Sequence, residues 1–178
     1  MAMDYLGICF TTLSNLSDRR IDRFMDHHHS NNLPPFLCKE SPGLRLGLMG
    51  GQFMATSLTA ENRSLCHPVS IQSLPSTGDF QDIISMGLVA ARRAQEIYTN
   101  TVYILSFELL CSVQAAEIRN AELLSTPTKI AFSCVRKIVP YLREDVCLTD
   151  YLEKIAKLLK SNRFLKEVQD YTGEKIEL

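Results

Sequence analysis

The sequence predicts an all-α fold, a bundle of long, nearly parallel helices. Three observations predict it. Ile83, Ala90, Ile97, Ile104, Cys111 and Ile118 recur at seven-residue intervals, with Ile84, Ala91, Tyr98 and Leu105 beside them. Such a repeat draws one apolar stripe along a helix. No stretch of useful length alternates apolar and polar residues as a half-buried strand would. Apolar residues make up 46% of the 178, ample for a core. A single helix over 80–121 would be about 63 Å long at about 1.5 Å per residue. A helix of that length needs a bundle or an oligomer to cover its stripe.

The elements follow in order. Residues 4–26 read as two helical pieces, with Leu6, Cys9, Phe10 and Leu13 at helical spacing and Ser17-Asp18 capping a short basic second piece. His27-His28-His29 offers three imidazoles, but adjacent residues rarely converge on one ion, so a solvated loop without metal is expected. Residues 30–43 form a linker rich in Asn, Pro and Ser, with Phe36 and Leu37 pinning it to the core. The glycines of Gly43-Leu44-Arg45-Leu46-Gly47-Leu48-Met49-Gly50-Gly51 match neither a Walker loop nor Gly-x-Gly-x-x-Gly, so close backbone packing is expected of them. Leu48, Phe53, Leu58 and Leu65 then carry a helix over 46–65.

The segment 66–79 is a polar loop with two prolines, a length uncommon in a compact helical protein and often functional. The amide of Gln81 falls where this loop becomes helix, and first-turn N–H groups attract anions. Arg92, Arg93, Gln95 and Glu96 give the long helix a solvated or intersubunit face. Glu108, on or beside the apolar seam, reads as a paired structural carboxylate, with a general base as the other reading. Ser125 or Thr126 caps a helix over 128–143, with Pro127 in its first turn and Pro140 near its end. Thr149-Asp150 caps another over 151–160, and the tail from Phe164 mixes Lys and Glu.

Net charge is −1 and the Lys and Arg residues form no dominant cluster, which gives no support to nucleic acid or an anionic membrane as partner. No apolar run reaches the roughly 18 residues of a membrane span. The N-terminus lacks the basic start of a signal peptide. Six scattered cysteines without Cys-x-x-Cys suit a reducing cytoplasm, with Cys111 and Cys134 as buried thiols inside helices. Nothing in the tail or in the helices points to a metal site.

Several strings recur in order along the chain: Leu16-Ser17-Asp18-Arg19-Arg20-Ile21-Asp22-Arg23, Leu33-Pro34-Pro35-Phe36-Leu37, Gly43-Leu44-Arg45-Leu46-Gly47-Leu48-Met49, Ala60-Glu61-Asn62-Arg63, Cys66-His67-Pro68-Val69-Ser70, Gln81-Asp82-Ile83-Ile84-Ser85-Met86-Gly87, Phe107-Glu108-Leu109-Leu110 and Arg119. Each string is weak alone and the ordered set is specific. With them the chain resembles the C-terminal part of the aromatic amino acid ammonia-lyases and aminomutases, which use a methylideneimidazolone prosthetic group. The resemblance implies long, nearly parallel helices, a homotetramer and active sites shared between subunits. It implies a single helical unit over 1–178: opening helices 1–26, linker 27–45, core helices and pocket loop 46–121, and C-terminal helices 122–178.

The resemblance also implies site residues. The position of Gln81 lies near the bound amino acid in family members. Histidine lyases carry Glu-Asp-His there, whereas members acting on phenylalanine or tyrosine carry Gln-Asp and an apolar residue, as in Gln81-Asp82-Ile83. A neutral amide donates and accepts without imposing charge. Phe80 stands where many members have Asn, and Phe80 and Phe53 match pocket-lining aromatics of the bacterial phenylalanine-aminomutase branch. Ordinary core packing is the other reading for both. Arg45-Leu46 replaces the Asn-Ser common elsewhere in the family, pointing away from typical histidine lyases. Substrate contacts are therefore expected from Gln81, Phe80 and Phe53, on L-phenylalanine or L-tyrosine.

The prosthetic group forms from an internal Ala-Ser-Gly, which this sequence lacks; Ser76-Thr77-Gly78 is the nearest string and lies in the wrong part of the resemblance. The resemblance places the family's catalytic tyrosine loop and carboxylate-binding arginine upstream of the matched region. No catalytic residue and no self-made methylideneimidazolone are therefore expected in this chain. It reads as one wall of a lyase or 2,3-aminomutase pocket, working with an N-terminal half or with full-length subunits. A histidine ammonia-lyase fragment and a non-catalytic helical assembly module are the alternatives.

Overall fold

A computed structural model describes residues 1–40, 43–161 and 163–172. Among them are six α-helices and no strand: α1 (Ala2–Met25), α2 (Met49–Leu65), α3 (Gly87–Arg119), α4 (Thr126–Arg136), α5 (Thr149–Lys160) and α6 (Arg163–Thr172). The expected all-α bundle is thus observed. Three of the helices, α1, α2 and α3, pack together along one core that α5 closes. Ile21, Ile104, Phe107, Cys111 and Ile155 are wholly buried in it.

The N-terminal region is one helix, not two. Ser17 and Asp18 do not cap anything; both are buried mid-helix. Residues that favour caps can sit inside a helix when their side chains find other acceptors or donors. Ser14 Oγ bonds the Phe10 carbonyl at 2.9 Å, Ser17 Oγ donates to Glu108 Oε2 at 2.6 Å, and Asp18 Oδ1 accepts from Thr56 Oγ1 at 2.9 Å. Tertiary partners, invisible to local pattern, replace the cap.

Helix α2 starts at Met49, later than expected. Gly47 has φ +55°, and the N–H groups of Leu46 and Gly47 donate to the Asp145 carboxylate at 3.0 and 2.9 Å, which holds the chain out of helix. A Cβ at Gly47 would come within 2.6 Å of the Phe36 carbonyl, so close packing does explain this glycine. It also explains Gly51, where a Cβ would overlap the Phe107 ring, but not Gly43 or Gly50, which face open space. The buried stripe of α2 is Gly51, Ala55, Thr59 and Asn62. Of the expected apolar positions, Leu48 is buried in the core and Leu58 packs against it, but Phe53 is exposed, because small residues let α2 approach the Phe107 ring closely.

Helix α3 runs for 33 residues from Gly87. Its heptad positions Ala90, Ile97, Ile104 and Cys111 are buried, and Ile118 is partly so, but Ile83 is exposed outside the helix. On length and composition α3 could cross a membrane, contrary to the sequence expectation; 56% of its apolar window is buried inside the fold, as in a core helix. A polar seam crosses the three-helix core. The Asn62 amide donates to Ser14 Oγ at 2.9 Å and accepts from Asn100 Nδ2 at 3.0 Å, and Ser14 and Thr101 hydroxyls lie 2.9 Å apart. Each polar group has a partner, so the seam sets helix register without leaving a bare donor.

Helix α4 ends at Arg136 and not near 143. Pro140 has no N–H to continue the ladder, and 140–148 runs as an irregular strap instead. Gln114 holds it, donating to the Leu142 carbonyl at 2.8 Å and accepting the Leu142 N–H at 3.2 Å. Ser125 is the N-cap of α4, its hydroxyl 2.8 Å from that of Thr128 and not capping a backbone N–H, and Pro127 occupies the first turn as expected. Leu148, not Thr149 or Asp150, precedes α5; those two lie inside its first turn. Cys111 and Cys134 are both buried free thiols, as expected. Burial pushes the Cys134 thiol up to about 11.

Candidate functional site

The 66–86 segment is anchored at its ends and open in its middle. At its start the N–H groups of Val69 and Ser70 donate to the Asp4 carboxylate of α1 at 3.2 and 3.1 Å. Hydrogen bonds from Ser70 and from these two amides hold the Asp4 carboxyl below its ordinary range. Arg93 of α3 donates to the His67 carbonyl at 3.3 Å, and Ser73 Oγ accepts the Ile84 N–H at 2.8 Å. Between these ties the chain folds back on itself. Ser76 and Gln81 exchange both backbone hydrogen bonds, at 3.0 and 3.3 Å, as an isolated antiparallel bridge.

The turn between them holds three consecutive residues at positive φ: Thr77 at +56°, Gly78 at +62° and Asp79 at +62°. A β-branched residue such as Thr77 is seldom found there, and only the surrounding ties keep it so. Directly after this turn come Phe80 and Gln81. Gln81 therefore stands on a tight turn six residues before α3, not at the start of a helix, and the anion-attracting helix terminus expected there is absent. The chain cannot enter a helix while the Ser76–Gln81 bridge holds it.

Phe80 is 87% exposed and Phe53, on the outer side of α2, is 68% exposed. Ordinary core packing is therefore not what either ring does in this chain. Ile71, Leu74 and Ile83 on the same loop are also exposed. The three expected site residues stand on two elements: Phe80 and Gln81 share the turn, and Phe53 lies on α2.

Sequence reasoning missed a second feature. A concavity of about 710 Å³ opens beside α1 and α3, lined among others by Arg20, Arg23, Phe24, His29, Glu108 and Arg119. Glu108 is indeed a paired carboxylate. Arg20 forms an ion pair with it and also donates from Nη2 to Oε2 at 3.0 Å, while Ser17 bonds the same oxygen. The Glu108 contact raises the Arg20 guanidinium above its ordinary value. Arg119 uses one nitrogen to bond the Ser30 and Asn31 carbonyls at 2.7 and 2.9 Å. The Arg20–Arg23 spacing signals a basic helix face, but its meeting with Arg119, far along the chain, is decided by the packing of α1 on α3.

With this geometry in place, relatives can be compared. The chain is 47% identical to the tyrosine ammonia-lyase of Cupriavidus metallidurans over 99% of its own length and 33% of that protein. It is 43% identical to the histidine ammonia-lyase of Bacillus cereus over 95% of itself and 33% of that protein. Among solved structures, the phenylalanine aminomutase of Pantoea agglomerans shares 58% identity and superposes with a TM-score of 0.87, over 89% of this chain and 31% of that one. The tyrosine aminomutase of Streptomyces globisporus shares 40% identity with a TM-score of 0.94, over 99% of this chain and 34% of that one. The chain thus spans about a third of the length of the relatives it matches. The family model described as aromatic amino acid lyase matches residues 1–137, so the chain belongs to the aromatic amino acid lyase family.

Proposed function

We propose that this chain supplies one wall of the substrate pocket in an aromatic amino acid ammonia-lyase or 2,3-aminomutase acting on L-phenylalanine or L-tyrosine. The observation that carries the reading is the turn at 77–79, which presents Phe80 and Gln81 to the outside on a braced, left-handed backbone. Strained backbone of this kind persists where the surroundings over-determine it, and it suits a pre-organised binding edge. An exposed phenyl ring offers an apolar face to an aromatic substrate, and the neutral Gln81 amide adds a donor and an acceptor without charge. Phe53 contributes a second exposed ring from α2. The 58% identity to a phenylalanine aminomutase and the 47% identity to a tyrosine ammonia-lyase support the aromatic choice over histidine.

The family uses a methylideneimidazolone group. Its precursor Ala-Ser-Gly does not occur in these 178 residues, so the residues present do not form it. No chemical step is assigned to this chain. Its role in the reading is to bind and orient the amino acid, and to exclude water from one side of it. The electrophile and the base come from another segment, joined as part of the same fold or as a partner polypeptide, in a cytoplasmic homotetramer.

The test is intact-mass analysis of the complex isolated from its source by capture on this chain. The reading expects an Ala-Ser-Gly-bearing segment lighter by two waters, and turnover of phenylalanine or tyrosine by the complex. Recovery of this chain alone, as an unmodified homo-oligomer without turnover, overturns it in favour of an assembly module. Preferential turnover of histidine by the complex overturns the substrate choice and leaves the pocket-wall role standing.

A further inference from the structure

At the C-terminus of α1 the chain reads Asp26-His27-His28-His29. Adjacent imidazoles diverge when the backbone is extended, which is why a solvated loop is the natural expectation. Here only Asp26 is extended, at φ −92° and ψ 109°, and residues 27–30 turn directly after it. Asp26 is the C-cap of α1, and its carbonyl accepts the N–H groups of both His29 and Ser30, at 3.0 and 2.9 Å. The resulting turn lays the His27 and His28 rings together, with centroids 3.8 Å apart and planes inclined by 39°. One donor atom from each of Asp26, His27 and His28 then falls within 4.8 Å of the others.

The carboxylate is held in place before any ligand arrives. Asp26 Oδ1 accepts the His28 N–H at 2.9 Å, and Oδ2 lies 2.7 Å from His29 Nδ1. One turn back, Asp22 adds a second carboxylate to the shallow hollow that Asp26 and His27 also line. Arg20 and Arg23 face the concavity on the other side, the one that His29 lines.

We propose that Asp26, His27 and His28 bind a divalent transition cation of the zinc, nickel and cobalt class, with His29 orienting the Asp26 carboxylate. Two imidazoles and one carboxylate suit these borderline ions, whereas magnesium and calcium favour all-oxygen sets. Bonds of about 2.0–2.1 Å in a tetrahedral site place donors about 3.3 Å apart. All three histidine side chains are exposed, and binding would part the stacked His27 and His28 rings as their donor atoms close to that spacing. The bound ion would tie the end of α1 to the turn that starts the linker. The proposal is independent of the lyase reading, since its test requires no amino acid substrate.

The experiment is titration of the full chain with cobalt(II), followed by absorption, and with zinc(II), followed by calorimetry. The chain has six free cysteines, so the cobalt spectrum carries the decisive distinction. Saturable one-to-one binding without a thiolate-to-cobalt band is expected. His27→Ala, His28→Ala and Asp26→Asn should each weaken it at least about tenfold, with the helical circular dichroism unchanged. His67→Ala, an exposed histidine on the other loop, should leave the affinity as it is. No saturable binding, a thiolate band, or affinity retained in the His27→Ala/His28→Ala double variant overturns the proposal.

Discussion

Two regions of this molecule are built on opposite terms. The α1–α2–α3 core, closed by α5, keeps its side chains inside: Phe107 is fully buried against Gly51, and every group of the Ser14–Asn62–Thr101–Asn100 seam is paired. The 66–86 loop is equally well tied at its ends, by Asp4, Arg93 and Ser73, yet it holds its large apolar residues out to the exterior. The core side chains are thus covered by their neighbours, while the loop holds its large apolar residues outside. Stability and recognition are separated along the sequence, and they should respond separately to mutation.

The largest expected effect is in the core. Phe107→Ala should cost about 3–5 kcal/mol, the range for emptying a fully buried aromatic site. Urea unfolding of the isolated chain reads it; a loss under about 1 kcal/mol would mean that the core is not closed as described. Asn62→Ala should come next. It removes the bonds that Asn62 makes to Ser14 and accepts from Asn100, at about 0.5–1.5 kcal/mol each, while Ser14 keeps Thr101 and Asn100 keeps Glu61. Gly51→Ala should destabilise by about 1–3 kcal/mol through overlap with the Phe107 ring. Pairing it with Phe107→Leu should recover part of that loss, and strict additivity of the two changes would refute the contact.

The loop should show smaller effects of a different kind. Asp4 has a folded pKa below its unfolded value of about 3.9. Its contribution is therefore fully present above that value and is lost as pH falls through the lower folded one. Melting curves between pH 5 and pH 2 should fall less steeply for Asp4→Asn than for the natural chain, and parallel curves would show that Asp4 does not clamp the loop. Phe80→Ala should be nearly silent in stability, within about 0.5 kcal/mol, as for an exposed side chain. In the assembled lyase or aminomutase proposed above, the same change is expected to reduce turnover of phenylalanine or tyrosine. A large stability loss with unchanged turnover would invert the comparison between core and loop.

Some of this was legible in the chain. The seven-residue recurrence of Ala90, Ile97, Ile104 and Cys111 locates the buried face of α3, and the paired state of Glu108 follows from the rarity of unpaired buried carboxylates. The loop at 66–79 announces itself by its prolines and hydroxyls. Its extension to Met86 does not, because Ile83 continues the heptad on paper while the Ser76–Gln81 bridge keeps that stretch out of the helix. Phe53 misleads in the same way: its spacing fits a core stripe, yet the face of α2 that packs is Gly51, Ala55, Thr59 and Asn62.

The sequence by itself determined the all-α class, the approximate place of most helices and the membership of the family, since periodicity and ordered motifs are local and need no partner to be read. Only the tertiary structure decided which face of α2 is inside, that Ser17 and Asp18 stay within one helix, that Arg20, Arg23 and Arg119 share a concavity, and that Asp26, His27 and His28 converge. The first three outcomes depend on the packing of elements distant in the chain, where a close approach between helices rewards small residues as much as large apolar ones, and the last depends on the hydrogen bonds of the turn after α1.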